Sequence, residues 1–332
     1  MEIVKIRGYL HISDIITQLM TSSEPVWISR IGGSDYEFYK VLWDIFECKA
    51  EFNENEQQQF EFHRNNVSSY NGYFDFNDKL SVAYESGQLY IDSVLNSDFT
   101  MLLSPEYHAI AKNEFVYTNI VKEYTKDKTH QCCSYSIIEG GLAPEGNQTG
   151  GSFFLNSFKI WGNNKKILIV SPFEDTIKYQ THPDRINKIL NNYEFPNCEF
   201  LTYKTPITYN DYNGDKTNYF TNNTKDYNNW IELSNKMVND ISKLDFDIAF
   251  ISAGGYTMHL GNEIKKMGKK SIYIGGMLNV FFNIYGKRYD NGYYNTIQNL
   301  DYRVKSMEDY DDLFTDKLVD KCYVSEGFNA YF

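Results

Sequence analysis

The chain has 332 residues, long enough for one large α/β domain or two smaller ones with a substantial core. Its 32 basic and 44 acidic residues give a formal charge of -12, which argues against a nucleic-acid partner but leaves room for a local phosphate site. The five cysteines have no metal-binding spacing, and no apolar run approaches the roughly 18 residues of a membrane span. We therefore expect a cytoplasmic protein with reduced thiols.

Aromatic residues are unusually frequent, with 28 Tyr and 23 Phe beside only 4 Trp. An AT-rich genome would produce such an excess without any functional cause. A cleft lined with tyrosine would also produce it, because sugar rings stack on aromatic faces. Composition leaves both explanations open.

The first part of the chain alternates helical periodicity with short apolar runs. Residues 9–22 and the segment SDYEFYKVLWDIF (34–46) have apolar residues at helical spacing, and PVWISRI (25–31) is typical of a buried strand. The polar stretch 47–66 predicts a solvated helix with loops. The other elements predicted before residue 141 are a helix over 78–96, a strand over 98–104, a helix over 107–124 and a strand over 134–140.

A polar, glycine-rich stretch over 139–151 is the best internal boundary, so we predict an N-terminal half over 1–140 and a C-terminal half over 151–332, or one continuous domain. The C-terminal half alternates strands and helices regularly, apart from a long loop over 208–225. This rhythm predicts a doubly wound, mostly parallel, Rossmann-like α/β sheet with helices on both faces. The predicted helices cover 152–162, 175–190, 229–244, 256–268 and 277–286, and the predicted strands cover 165–173, 198–206, 246–255 and 270–276.

The corner after the first strand is the first candidate site, because ligands of open parallel sheets bind beyond the carboxyl ends of the strands. The pair Gly32–Gly33 allows close backbone approach, and the amides of Ser34 and Asp35 begin a helix and suit an anion. Arg30 at the strand end needs an anionic partner or a route to solvent. The structural alternative is a capped helix in which Arg30 pairs with Asp35 or Glu37.

The segment SAGGYTMHLGNEI forms a second glycine-pair corner, with Ser252, Gly254–Gly255 and Tyr256 between a strand and a helix. It has the general form of a phosphate cradle, although it is neither a dinucleotide fingerprint nor a Walker motif. His259, one turn into the helix, could bind a phosphate or act as an acid or base. A buried structural histidine is the alternative.

A third glycine pair, Gly275–Gly276, follows the last predicted strand, with Asn279 close to it on a buried helix. The basic pair Lys287–Arg288 comes after that helix and is either a phosphate ligand or a solvated helix end. Three such corners together predict a cleft that recognises phosphate.

The same segments resemble a known family. SRIGGSDYEF resembles the Arg-Ile-Gly-Asp-Gly-Glu corner of GT-D type bacterial glycosyltransferases and of related sugar transferases in polysaccharide biosynthesis. The segment from SAGGY to GKRYDN (252–291) resembles the closing pattern of that family, and VSPFEDTIKYQ (170–180) is similar to its Pro-Phe corner. The resemblance covers most of the chain after Pro25, except 47–100 and 208–225.

The resemblance implies a glycosyltransferase that moves a sugar from a nucleotide-sugar donor, most simply a UDP-sugar, to a glycan or other hydroxyl acceptor. In the family an Asp-x-Glu pair binds Mn²⁺ or Mg²⁺ at the donor pyrophosphate. Here that pair falls on Gly33 and Asp35, so one carboxylate is missing, and Glu37 is the nearest substitute. The alternative is that Arg30 and helix amides neutralise the leaving diphosphate without a metal. The resemblance leaves Asp35 and His259 as candidate bases.

Two other classes of function stay open. One is a different nucleotide-dependent transferase, such as a methyltransferase or a kinase-like enzyme. The other is a non-catalytic Rossmann-like module that binds a sugar or nucleotide, which the missing carboxylate favours. An arginine and an acid that face one cleft would indicate catalysis, whereas an Arg30–Asp35 pair sealed in the core would indicate the module.

Overall fold

The computed structural model describes residues 9–46, 53–75, 79–102, 132–134, 153–208, 218–286, 290 and 294–308. The predicted helix over 107–124, nearly all of the predicted strand over 134–140 and the pair Lys287–Arg288 lie outside these residues. The predicted boundary over 139–151 also lies outside them.

The described strands form one all-parallel sheet, which confirms the predicted fold class. Six strands lie in the order β2-β1-β7-β6-β4-β5, and the three-residue β3 pairs with the outer side of β2. The strands are β1 (Val26–Arg30), β2 (Phe99–Leu102), β3 (Cys132–Ser134), β4 (Lys166–Ser171), β5 (Glu199–Lys204), β6 (Ile248–Ile251) and β7 (Lys270–Tyr273).

Helices pack against both faces of the sheet. Those of the described residues are α1 (Tyr9–Thr21), α2 (Gly33–Phe46), α3 (Glu54–Asn71), α4 (Lys79–Leu95), α5 (Phe153–Trp161), α6 (Glu174–Gln180), α7 (Asn218–Thr224), α8 (Trp230–Ile241), α9 (Tyr256–Lys266) and α10 (Met277–Phe281). On one face α9 contacts α4 and α8, and α2 contacts α4; α1 and α5 pack together on the other. A right-handed crossover places its helix on the face set by the direction in which the chain crosses the sheet. That direction reverses between β4–β5 and β5–β6, so both faces receive helices.

The central strands are apolar because helices cover them on both sides. β6 is buried along its whole length, whereas the edge strand β5 is half-buried. A cluster of aromatic rings seals one face: Phe154 and Phe158 of α5 contact Phe250 of β6 and Phe281 of α10 at centroid distances of 5.4–6.1 Å. The cluster accounts for part of the aromatic excess through packing.

Pairing between β1 and β7 joins the two predicted halves in one sheet. Val26 lies opposite Lys270 and Ile28 lies opposite Ile272. Between them Trp27 is fully buried, and its indole N–H donates to the Ser93 carbonyl at 3.1 Å. Trp27 packs directly against Gly261 of α9, so this helix lies close to β1.

Three predicted elements differ from the structure. The helix predicted over 175–190 ends at Gln180, because Pro183 disfavours helix in itself and in the preceding residue. The helix predicted over 277–286 ends at Phe281, and Asn283 adopts a left-handed φ of 54°. The loop predicted over 208–225 contains the short helix α7.

The polar stretch after residue 46 forms a longer and more regular helix than its composition indicates. Asn53 caps α3 by accepting from the Glu56 amide at 3.3 Å, while the Glu56 carboxylate accepts from the Asn53 amide at 2.9 Å. This capping box satisfies amides that otherwise lack partners at a helix start. α3 then ends at Asn71, beside the candidate site.

Across the described part of the chain, every helix is too short or too polar to traverse a lipid bilayer.

We predict opposite effects from alanine at two helical glycines. A methyl group at Gly261 would overlap the Trp27 ring, so Gly261→Ala should lower the free energy of unfolding by about 1–3 kcal/mol through overpacking. The same change at Gly87 of α4 meets only Tyr39 and Leu42, at 3.8 and 3.9 Å. Gly87→Ala should therefore be neutral or stabilising by up to about 1 kcal/mol, because alanine favours helix. Urea denaturation of both variants measures the difference.

Candidate functional site

The first and third glycine-pair corners meet at the carboxyl ends of neighbouring strands. Arg30 ends β1, and its guanidinium carbon lies 4.5 Å from the centroid of the Tyr273 ring at the end of β7. A Cβ at Gly275 would lie 2.7 Å from Arg30 Nη1, so a larger residue there would displace the guanidinium. Gly275 also has a φ of 60°, which side chains disfavour. The two corners therefore pack together around the arginine.

Asp35 lies in the first turn of α2, and its side chain is almost completely buried, with 8% exposed. Asn71, the last residue of α3, donates its amide N–H to Asp35 Oδ1. A Cβ at Gly32 would come within 2.6 Å of Asp35 Oδ2, so the glycine lets the carboxylate fold back over the corner. We call Arg30, Asp35 and Asn71 the Arg30–Asp35 site.

The environment of Asp35 changes its acidity. Burial raises the pKa of this carboxyl from 3.8 to about 6, against the opposing effects of the Asn71 hydrogen bond and the Arg30 charge. A carboxyl group with a pKa near neutral pH can both accept and release a proton under physiological conditions. The site thus contains a group suited to acid–base chemistry.

Tyrosines that the sequence analysis did not single out surround this carboxyl group. Tyr39 stacks on Tyr90 with a centroid distance of 4.2 Å, and its hydroxyl lies 2.9 Å from Ser86 Oγ. The Tyr90 hydroxyl is buried and has no hydrogen-bond partner among the described residues. Burial, and then the nearby Asp35 charge, raise its pKa. The only sequence signal for these rings is the tyrosine excess.

A small cavity lies beside Asp35, between α2, the end of α3 and the start of α9. It leaves about 10 Å³ for solvent, which is close to the smallest space that holds one water molecule. Its lining includes Tyr39, Asn71, Trp230 and Tyr256. In this conformation the cavity has room for a water or a hydroxyl group, but not for a nucleotide.

The second glycine-pair corner contacts the same end of α3. The Gly255 amide donates to the Asn71 carbonyl at 2.8 Å, and the Ser252 amide donates to Val170 at 2.9 Å. Gly254 has a φ of 56°. The Tyr256 hydroxyl lies 2.6 Å from Thr208 Oγ1. The Gly255 amide, which we predicted to bind phosphate, therefore donates within the fold in this conformation, as does the neighbouring Ser252 amide.

His259 faces the interior rather than the Arg30–Asp35 site. Its Nδ1 lies 2.7 Å from Ser234 Oγ on α8, and its ring meets Trp230 edge-on. Burial lowers its pKa, with the Glu263 carboxylate opposing that effect. These contacts are those of a neutral histidine that ties α9 to α8.

The other predicted residues are spread around the corners. Gly33 and Ser34 form the start of α2, and Gly276 precedes α10. Asn279 is fully buried within α10, where its carbonyl accepts from the Ile284 amide at 2.7 Å. Tertiary structure thus brings Arg30, Asp35, Gly32 and Gly275 together but leaves Asn279 in the core.

The carboxylates proposed for Mn²⁺ or Mg²⁺ do not combine into a ligand set. Glu37 is half-buried. Burial lowers the pKa of His63 on α3 and the Glu37 charge opposes that effect, which places this carboxylate towards α3. Asp35 and Glu37 are two residues apart on α2, and such residues do not face each other. Among the described residues, no three His, Cys, Asp or Glu side chains are grouped so that they could hold a metal ion.

Compared with models of known protein families, with curated proteins and with solved structures, the chain matches none of them. The structure itself defines the class, a Rossmann-like α/β fold with a parallel sheet of six strands and a short seventh at its edge. This fold hosts many unrelated activities, so function has to be argued from the site.

We predict that Asp35 makes the stability depend on pH. Because its pKa is raised from 3.8 to about 6 on folding, the folded state binds the proton more tightly, and stability falls as pH rises from about 4 to 6. Ionisation at pH 7 then costs about 3 kcal/mol. Asp35→Asn removes that cost. The free energy of unfolding of the variant minus that of the wild type should therefore be about 1 kcal/mol larger at pH 7.5 than at pH 5.

Urea denaturation at both pH values checks this expectation. Asp92→Asn, at an exposed position of α4, is the matched control and should show no such growth. Equal stability differences for Asp35→Asn at both pH values would contradict the raised pKa.

Proposed function

We propose that this protein is a glycosyltransferase that moves a sugar from a nucleotide-sugar donor, of UDP type, to a hydroxyl group of a glycan acceptor. The observation that carries the proposal is the buried Asp35 carboxyl, with a pKa raised to about 6, close to Arg30 at the carboxyl edge of the sheet. Ligands of Rossmann-like sheets bind at that edge.

In the proposed reaction Asp35 is the base. The acceptor oxygen attacks the anomeric carbon, the bond from that carbon to the diphosphate breaks, and the proton of the hydroxyl passes to Asp35. A base whose pKa lies near the working pH serves this step best. The Arg30 guanidinium neutralises the negative charge that develops on the leaving diphosphate.

The dimensions of the site set a further requirement. The cavity of about 10 Å³ admits a hydroxyl group, whereas small-molecule sites usually span about 300–1,000 Å³. Donor binding therefore requires the end of α3 to move away from α9, which breaks the contact between the Gly255 amide and the Asn71 carbonyl. The freed amide would then be available to a phosphate oxygen.

A non-catalytic Rossmann-like module is the second candidate. The contact of Asn71 with both Asp35 and Gly255 favours it, because this contact closes the site without any ligand. In that case the Arg30–Asp35 site contributes to structure alone.

We predict that a nucleoside diphosphate stabilises the protein. A ligand at one hundred times its Kd adds about 2.7 kcal/mol, which should raise Tm by several degrees. A thermal-shift panel of UDP, GDP and CMP, with and without Mn²⁺, measures this, and Arg30→Ala should weaken binding of the active nucleotide at least tenfold. Lys266→Ala, at an exposed position of α9, is the control and should bind as the wild type does.

If none of these nucleotides shifts Tm, the glycosyltransferase proposal fails. If a nucleotide raises Tm by the same amount in the wild type and in Arg30→Ala, the assigned role of Arg30 is wrong.

We also predict a pH dependence of turnover. With the nucleotide-sugar that corresponds to the active nucleotide, kcat/KM for release of the nucleoside diphosphate should rise with pH through about 6, because only ionised Asp35 accepts the proton. Asp35→Asn should lose at least tenfold in kcat with little change in nucleotide binding. If Asp35→Asn binds the nucleotide and keeps the full kcat of the wild type, Asp35 is not the base and another residue accepts the proton.

A further inference from the structure

A second and much larger opening lies at the carboxyl end of the edge strand β5. Its volume is about 800 Å³, within the range of small-molecule sites. We call it the β5 cleft. Six polar residues of its lining are Asp175, Tyr203, Lys204, Asn222, Tyr227 and Lys236. Leu233 and Met237 of α8 lie behind this lining and are buried in the core.

The part of the lining formed by Met307 and Glu308 is held in place by hydrogen bonds. Glu308 is buried and accepts from the Thr176 amide at 3.1 Å and from the Ser306 hydroxyl at 2.7 Å. The Met307 amide donates to Thr176 Oγ1 at 2.8 Å. These bonds fix the segment around residue 307 to the start of α6, so this side of the cleft is formed without a ligand.

The charges of the β5 cleft are balanced. Lys204 Nζ lies 3.6 Å from a carboxylate oxygen of Asp175, and Lys236 forms an ion pair with Asp240. Because both lysines of the lining have acidic partners, a phosphate gains less here than it would beside an unpaired cation. The lining therefore suits a neutral polar ligand better than a nucleotide.

Two tyrosines and two asparagines supply groups that suit a sugar. Tyr203 and Tyr227 are partly buried, and the Tyr203 hydroxyl donates to Asp240 at 3.1 Å, which fixes its orientation. The Asn223 amide donates to a backbone carbonyl at 2.8 Å and holds the wall, whereas Asn222 is exposed at the cleft. Aromatic rings bury the apolar faces of a sugar ring, and amide groups bind its hydroxyls.

The β5 cleft is separate from the Arg30–Asp35 site. β5 and β1 are four strands apart in the sheet, which corresponds to about 19 Å at the usual spacing. Trp230 at the start of α8 packs against Tyr256 at the start of α9, and both rings line the smaller cavity beside Asp35. One sugar residue cannot occupy both sites.

We propose that the β5 cleft is a second binding site, specific for a neutral saccharide. Balanced charge, two partly buried tyrosines and an exposed amide in a preformed cleft carry this assignment. Only its further role, holding a distal part of the acceptor glycan, rests on the proposed glycosyltransferase function.

The test is a glycan array that contains neutral and anionic oligosaccharides, probed with the full chain, followed by calorimetry with the neutral oligosaccharide that binds best. Tyr227→Ala should weaken binding at least tenfold, and Asn222→Ala should weaken it severalfold. Tyr84→Ala on α4 is the matched control, because this exposed tyrosine lies outside the cleft, and it should bind as the wild type does. Asp35→Asn should also bind normally, which separates this site from the Arg30–Asp35 site.

The proposal is overturned if no neutral oligosaccharide binds, if only anionic ones bind, or if both cleft variants bind like the wild type. If Tyr227→Ala fails to fold, the proposal is tested by Asn222→Ala and by hydrogen exchange in the wild type. Adding the saccharide should slow amide exchange in residues 203–207 and 227–237. If Arg30→Ala loses nucleotide binding but keeps saccharide binding, the two sites are independent. Saccharide binding without any nucleotide binding supports the cleft and refutes the glycosyltransferase proposal.

Discussion

The backbone hydrogen bonds between β1 and β7 join the first strand of the described chain to the last, and the rest of the structure depends on them. They make one sheet from the two halves and place Arg30 beside Tyr273. Trp27 fixes this arrangement from one face, because its ring fills the space that Gly261 leaves on α9. Without the pairing, the two corners that pack around the arginine would not meet.

The cost of burying a carboxylate shapes the site next to this joint. Asp35 retains a pKa of about 6 because one amide hydrogen bond and one nearby arginine do not fully offset its loss of hydration. The amide comes from α3, a helix of polar composition whose length is set by its capping box and by the left-handed Gly72 that follows Asn71. A group kept at such a cost is expected where chemistry or a conformational change makes use of it.

Local sequence patterns predict most of the elements near this site. Apolar periodicity places α2, α8 and α9 within a few residues of their observed bounds, and continuous apolar runs identify β4 and β6, because covered strands are apolar on both faces. The prediction fails where a single residue interrupts a pattern, as Pro183 does after α6 and Asn283 does after α10. Periodicity measures burial and does not register a stop of this kind.

The sequence by itself determined the α/β class, most of the strands and helices of the described residues, and the corner that contains Arg30 and Asp35. These follow from local burial patterns and from the position of glycine after a strand. Only tertiary structure decided which groups surround that corner. Asn71 and Tyr90 belong to helices with no motif of their own, and they reach Asp35 through packing of distant segments. For the same reason His259, which lies one helical turn after the Gly254–Gly255 corner, faces α8 instead of the site. The side of a helix that faces a ligand depends on how the helix packs on the sheet, and a local motif does not contain that information.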